Sequence, residues 1–266
     1  MKTAFKAPAW ALMIVTFFVP MAIIAVYSVL TRSGYGGIER PFTLENYTRL
    51  FDPLYGAIFV RSVWIAAVAT LLCLLLGFPM ALFIARSGVR KNLWLSLVIL
   101  PFWTSFLIRT YAWMFLLRDT GLINTLLHTS WPMLYNNGAV ILGLVYGYLP
   151  FAILPMYATL ERLDPSLLEA AADLGATPLA AVFRVTIPLA MPGIRAAAIL
   201  TFVPSIGAYL TSDLLGGSKT ILIGNLVQNQ FTTARDWPFG AAASLVLMAV
   251  ALALLFVAKR RGEELL

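Results

Sequence analysis

The chain has 266 residues, of which 61% are hydrophobic and 12% charged, against about 45–50% and about 25% in an ordinary soluble domain. With a mean hydropathy of +0.86, it has too few charged side chains to cover a water-facing surface, which excludes a soluble globular fold and a disordered chain alike. The net charge of +7 fits Lys and Arg gathered in the loops on one membrane face better than a nucleic-acid surface.

A helix needs about 20 apolar residues to cross a hydrocarbon core about 30 Å thick. Six segments meet this: 7–30, 58–85, 93–117, 138–160, 196–215 and 239–258. The expected fold is an all-α membrane protein with six transmembrane helices forming one domain over residues 1–266. The first run follows Lys2 and Lys6 as a signal peptide would, but it is too long for a signal core and lacks a small-residue cleavage site. It is read as an uncleaved span.

Basic residues set the orientation. With the N-terminus inside, eleven Lys and Arg fall on the inner side (Lys2, Lys6, Arg86, Arg90, Lys91, Arg162, Arg184, Arg195, Lys259, Arg260 and Arg261) and seven on the outer. Both termini are therefore expected in the cytoplasm.

The loop over 161–195 lies on the inner side and carries the clearest local signals. Asp164 suits an N-cap and Pro165 the first helical position. Gly175 is a natural stop, and Thr177-Pro178 repeats the start signal. The expected result is a short helix over 165–174, a sharp turn, and a second helix to about Thr186. Pro188 and Pro192 forbid an unbroken helix into the fifth span. Leu167, Leu168, Ala171 and Leu174 are expected on one face, and Ala170-Ala171-Ala172 leaves a thin surface. Such a helix suits a groove in another protein; the alternative is a helix lying on the chain's own inner face or at the lipid interface.

Glu169-Ala170-Ala171, three residues, Gly175, nine residues, then Val185-x-Ile187-Pro188 resembles the EAA loop of the permease subunits of type I ABC importers. Val185 and Ile187 stand where the family usually has Ile and Leu. Pro101 to Arg109, Gly121 to Asn124, Leu149-Pro150-Phe151, Ser212 to Gly217, Ile223-Gly224-Asn225 and Arg235 to Gly240 resemble the spermidine/putrescine permeases of that family. The likeness covers about 101–258; the first hundred residues match mainly in layout. It implies a bacterial inner-membrane permease that moves a polyamine inward. It also implies that Leu167, Leu168, Glu169, Ala170, Ala171, Asp173, Leu174 and Gly175 couple the chain to a cytoplasmic ATPase. The implied partners are a second, related permease chain, two such ATPase subunits, a periplasmic solute-binding protein and membrane lipid, with no nucleic acid. Other solutes of the family, such as opines or anionic and zwitterionic compounds, remain alternatives, as does a carrier driven by an ion gradient.

Residues for a solute path are sought where spans are broken or carry polar and aromatic groups. Span five has Pro204 and Gly207, then Tyr209 and Asp213 four residues apart. Asp213 could meet an ammonium group, with Tyr209 adding a cation–π contact, or could simply cap the span. Span four has Gly143-x-x-x-Gly147 around Tyr146, which fits close helix packing, a cavity wall, or both on different faces. Arg109 lies eight residues from the outer end of span three, about 12 Å deep. There it needs a partner such as Asp213, or serves as an anchor, or meets an anionic solute. Trp103 shares that span and stays open as a pathway residue; Trp113, near the outer end, is read as an interfacial anchor. The outer loops 32–55 and 216–238 are expected to meet the solute-binding protein, the latter through a short amphipathic helix.

The chain offers no catalytic or metal constellation. Cys73 is the single cysteine and His128 the single histidine, and no span holds a His/Asp/Glu cluster, which leaves a membrane-embedded enzyme as the weakest reading. Gly216-Gly217-Ser218-Lys219-Thr220 has the wrong spacing for a phosphate loop. No cofactor is expected on this chain; ATP and Mg belong to the partner ATPase.

Overall fold

The computed structural model describes Trp10 and residues 12–260. The opening residues of the first expected span, Lys2, Lys6 and Arg261 lie outside the described residues. Over the described residues each of the six apolar segments is mainly helical. A π-helical turn, Ile14–Phe18, leads into α1 (Val19–Ser28). A hairpin of β1 (Leu30–Arg32) and β2 (Ile38–Phe42) follows, then α2 (Glu45–Arg49) and α3 (Pro53–Ala85). Next come α4 (Lys91–Ile99), α5 (Phe106–Leu117), α6 (Leu122–Leu127) and α7 (Asn137–Leu160). The chain ends with α8 (Ser166–Asp173), α9 (Pro178–Leu189), α10 (Met191–Ile206), α11 (Ile223–Thr232) and α12 (Trp237–Arg260).

Among the described residues, α3 and α7 are each long and apolar enough to cross a membrane alone. Two further candidates are bent pairs: Gly88–Trp103 with Phe106–Leu127 at 88°, and Pro178–Leu189 with Met191–Ile206 at 70°. The straight third span expected over 93–117 is therefore corrected to a broken one. Pro101 lacks an N–H and ends α4 in a tight turn over Leu100–Trp103. Thr104 and Ser105 then run extended, with ψ of 148° and 135°. The fifth span also differs: its helix starts at Met191 rather than Ala196. Pro192 falls in the first turn, where its missing N–H removes no helical bond. The bend lies at Ala190, between the two prolines. Gly207 and Ala208 end α10, and the chain resumes as Tyr209–Thr211 and a π-helix, Ser212–Gly216.

Internal contacts divide the chain into two compact units, Met1–Val60 with Ile223–Leu252, and Arg61–Leu222 with Ala253–Leu266. In the first, β1 and β2 pair antiparallel, with Arg32 opposite Ile38 and a bulge after Leu30. Asn46 is buried and donates to the carbonyls of Ser28 (3.0 Å) and Leu30 (2.8 Å), so α2 satisfies the backbone where α1 ends. Arg32 Nη2 and the Gly37 N–H donate to the carbonyls of Ala234 (2.8 Å) and Arg235 (2.9 Å). Asp236 is fully buried: one oxygen accepts from the Phe239 N–H at 3.2 Å and caps α12, the other from Arg49 Nη1 at 2.9 Å. Arg49 also lies over the Phe239 ring, 4.3 Å from its centroid.

The second unit holds two apolar clusters. One gathers Cys73, Ile84, Ile153, Met156 and Ala197; the other gathers Ile65, Leu117, Val140, Leu144 and Leu215. α7 is the shared wall. Gly193 of α10 sits so close to it that a Cβ would lie 2.4 Å from Thr159 Oγ1 and 2.7 Å from the Pro155 carbonyl. Gly143 and Gly147 do the same for other neighbours: a Cβ would meet Leu215 at 2.5 Å and Phe106 at 2.9 Å. Small residues thus replace the hydrophobic drive that lipid cannot supply between spans. Asn124 organises the loop before α7, accepting from the Trp131 N–H (3.2 Å) and the Thr129 hydroxyl (3.1 Å).

Gly193→Val is expected to force α10 from α7 and cost about 1–3 kcal/mol, read as a lowered midpoint in denaturant titration of the detergent-solubilised chain. Asp236→Asn keeps the cap and loses the ion pair, whereas Asp236→Ala loses both; the second should cost about 1 kcal/mol more than the first in the same titration.

Candidate functional site

Helix α8 is only two turns long, yet both ends are closed. Asp164 Oδ1 accepts from the Ser166 N–H at 3.0 Å, a bond to the ionised form that holds this carboxyl below its usual range. At the other end Ala176 N–H donates to Ala171 (3.0 Å) and Gly175 N–H to Ala172 (2.8 Å). This crossed pair of bonds needs a left-handed residue at the turn, and Gly175 supplies it with φ of 82°. Thr177 then caps α9, its hydroxyl accepting from Ala180 N–H at 3.3 Å. The start and stop signals of the sequence act as expected, and α9 runs on to Leu189 through a π-helical stretch, Val182–Thr186.

No residue of α8 is buried. The apolar stripe expected on this helix is unequally covered. Leu168 and Ala171 are half-buried, on a helix that packs against α9. Leu167 and Leu174 point out, Leu174 being 89% exposed. Leu179 and Phe183 of α9 are also more than half exposed. Glu169, Ala170 and Asp173 share the open surface. At the base of the loop Lys91 pairs with Glu161 at 2.5 Å, tying the start of α4 to the end of α7. The Lys91 ammonium and the Tyr157 hydroxyl hold the Glu161 carboxyl below its usual range.

The membrane-path residues fall into separate places. Arg109 lies in the first turns of α5, just past the bend. Its guanidinium faces the rings of Phe102 (5.2 Å), Phe106 (5.7 Å) and Tyr146 (5.8 Å). Cation–π contacts of this kind compensate part of a buried charge. Its Nε and Nη1 are shut off from solvent and have no acceptor. The pairing with Asp213 raised from the sequence is absent among the described residues, whose ion pairs include Arg49–Asp236 and Lys91–Glu161. Asp213 is exposed on the π-helix Ser212–Gly216 and makes no cap bond there. Tyr209 is 44% exposed one turn before it. Trp103 stands 83% exposed at the bend. Trp113, expected as an interfacial anchor, instead packs edge-on against Tyr146 at 5.5 Å and joins a core cluster.

Sequence reasoning missed Phe102 and Phe106, which sit within one helical turn of the bend and read simply as apolar. It also missed a polar chain beside Asp213 that runs from buried Ser212 and Thr220 to exposed Asn137. Ser212 donates to the Thr220 carbonyl at 2.5 Å, and the Thr220 hydroxyl to Asn137 Oδ1 at 2.9 Å. The amphipathic helix expected in the outer loop is α11, with Ile223 and Leu226 buried and Asn229 exposed.

A family described as the binding-protein-dependent transport system inner membrane component matches residues 74–260. The spermidine/putrescine transport system permease protein PotB of Escherichia coli (strain K12) is 44% identical over 256 residues, covering 94% of this chain and 93% of that protein. The PotB protein of Haemophilus influenzae is 43% identical over 258 residues, 94% of this chain and 90% of its own. Among solved structures, a bacterial alginate ABC transporter in complex with its alginate-bound periplasmic protein has a chain that superposes with a TM-score of 0.76. That likeness holds at 19% identity over 97% of this chain and 92% of the other, a likeness of fold. With the family matched over most of its length and relatives this similar end to end, the chain belongs to the inner-membrane permease components of binding-protein-dependent transport systems.

Proposed function

We propose that this chain is one permease subunit of an ABC importer that carries a polyamine of the spermidine/putrescine class into the cytoplasm. Its identity to the PotB permeases supports the substrate class. In this reading it crosses the inner membrane six times as one permease domain, with both termini in the cytoplasm. A second, related permease faces it across a pseudo-twofold axis. Two cytoplasmic ATPase subunits hold ATP and Mg and drive it, and a periplasmic binding protein feeds it through the loops 32–55 and 216–238. The chain itself contributes no catalytic group.

The observation that carries the mechanism is the capped, outward-facing helix α8. Exposed Leu167 and Leu174 on a preformed helix ask for a hydrophobic cleft, and Glu169 and Asp173, four residues apart on another side of the helix, add a charged edge. When the ATPases close on ATP their clefts approach each other and carry α8 with them. α7 and α10 follow as rigid bodies and open the path to one side and then the other. Tyr209 and Asp213, past the break at Gly207, stand where an arriving ammonium group would exchange water for a carboxylate and a ring face. Tyr146 and Trp103 line the same path near the bend of span three. Arg109 is held among rings that include Tyr146.

Glu169→Arg, and separately Gly175→Pro, should abolish uptake and solute-stimulated ATP hydrolysis in proteoliposomes while the chain still inserts in the membrane. Unchanged uptake would remove the coupling role. Asp213→Asn should raise the half-saturating concentration for radiolabelled spermidine several-fold without lowering ATPase recruitment. If transport of the cation is unaltered, Asp213 is solvated surface only.

A further inference from the structure

A cavity of about 560 Å³ opens between α3, α4 and α7, with Pro79, Met80, Phe83, Trp94, Leu97 and Pro150 among its walls. Its lining is carbon almost throughout, so it cannot be a resting place for a polyamine. Each ammonium group would lose its hydration and find no carboxylate in return. Apolar side chains at its mouth are open: Met80, Phe83 and Leu97 are 41%, 56% and 48% exposed. Pro79 and Pro150 each lie inside their helices, and Pro101 ends α4 beside them. Pro79, Pro101 and Pro150 thus bring one proline from each helix or its end to the cavity wall.

Charge marks one end of this cavity. Between α3 and α4 the chain reads Arg86-Ser87-Gly88-Val89-Arg90-Lys91. Lys91 is engaged with Glu161, whereas Arg86 and Arg90 are exposed and enter no ion pair among the described residues. Val89 between them is 100% exposed. An apolar side chain flanked by two arginines is the pattern of a loop lying at headgroup level. Trp94, edge-on to Phe83 at 5.3 Å, forms the wall one turn below that loop. From Lys91 to Pro101, which also lines the cavity, is ten residues, about 15 Å of helix. That equals the hydrocarbon depth of one leaflet, half of about 30 Å.

We propose that this cavity holds an acyl chain of an anionic phospholipid of the surrounding bilayer, whose phosphate is met by Arg86 and Arg90. The apolar groove takes the tail for the same reason that it rejects the cargo, and the two free guanidinium groups select a negative headgroup through charge-assisted hydrogen bonds. The cavity shares Tyr146 with the proposed solute path, but neither Asp213 nor the exposed face of α8 lines it, and its apolar lining makes it a lipid site beside that path rather than a resting place for the cation.

The test places the assembled transporter in phosphatidylcholine nanodiscs doped with phosphatidylglycerol carrying a photoactivatable diazirine near the end of one tail. Labelled peptides are read by mass spectrometry. Label is expected on the segments 79–84 and 94–101, and should fall several-fold in Leu97→Trp, which fills the cavity. Leu93→Trp adds the same bulk on the exposed face of α4 and should leave labelling unchanged. Arg86→Gln with Arg90→Gln should reduce phosphatidylglycerol labelling to that given by a phosphatidylcholine analogue, and does not depend on the cavity variant folding. Equal labelling by the two lipids in the natural chain, labelling indifferent to Leu97→Trp, or cross-linking of these segments to a second protein chain would each overturn the proposal. None of these readouts depends on which solute is carried.

Discussion

A lever transmits force only if its two ends are held to the body it moves. Here that condition is met by one close approach: α7 ends and α10 begins on either side of the loop that carries α8, and Gly193 brings them into contact at Thr159 and the Pro155 carbonyl. Thr159 already donates to that carbonyl at 3.1 Å, so the hydroxyl is fixed and presents a defined surface. The Lys91–Glu161 pair adds α4 to the same base. In the proposed coupling role, a displacement of α8 would carry α7 and α10 together. α10 runs from this junction to the break at Gly207 and Ala208, beyond which Tyr209 and Asp213 stand. The continuity from loop to break is a chain of packed backbone rather than a row of long side chains, which suits rigid-body motion better than a local switch.

The parts of the fold governed by local chemistry were legible in the sequence. Apolar length located all six helical segments, because lipid leaves the backbone few other options. Asp164, Gly175 and Thr177 announced the ends of α8 and α9, because caps depend on side chains one to three residues away. The break in span five was legible in Pro204 and Gly207. The bend in span three was not: Pro101 is followed by Phe102 and Trp103, which continue the apolar run, and hydropathy cannot see that Thr104 and Ser105 are extended. The hairpin of β1 and β2 was equally hidden, since Ile38-Glu39-Arg40-Pro41-Phe42 contains a proline and two charges, poor credentials for a strand. What was wholly out of reach were the long-range meetings. Arg109 and Tyr146 come together only because Gly147 admits Phe106 against α7, and Arg49 and Asp236 are 187 residues apart.

The chain keeps an exposed carboxylate apart from two other kinds of surface, which meet at Tyr146. Carbon-lined space lies between α3, α4 and α7, aromatic rings enclose the one charged side chain of span three, and the exposed carboxylate of Asp213 sits on a π-helical turn. A cationic solute is attracted to the last and gains nothing from the first. Such segregation limits the number of places where a flexible dication can lodge, which matters for a path that must release what it admits. The π-helical geometry at Asp213 contributes as well, since a wider turn rotates the side chains after it and is common where backbone regularity yields to function.

The closure of α8 at both ends has an energetic consequence for assembly. An isolated helix of eight residues would be largely unfolded in water, and a partner gripping it would first have to order it. With its caps made within the chain, α8 is already in the conformation it presents, so association loses little conformational freedom on this side. If α8 couples to an ATPase as proposed, changes in grip over a nucleotide cycle would then originate in the shape of the receiving cleft, with the inserted peg passing from one geometry to the next unmelted.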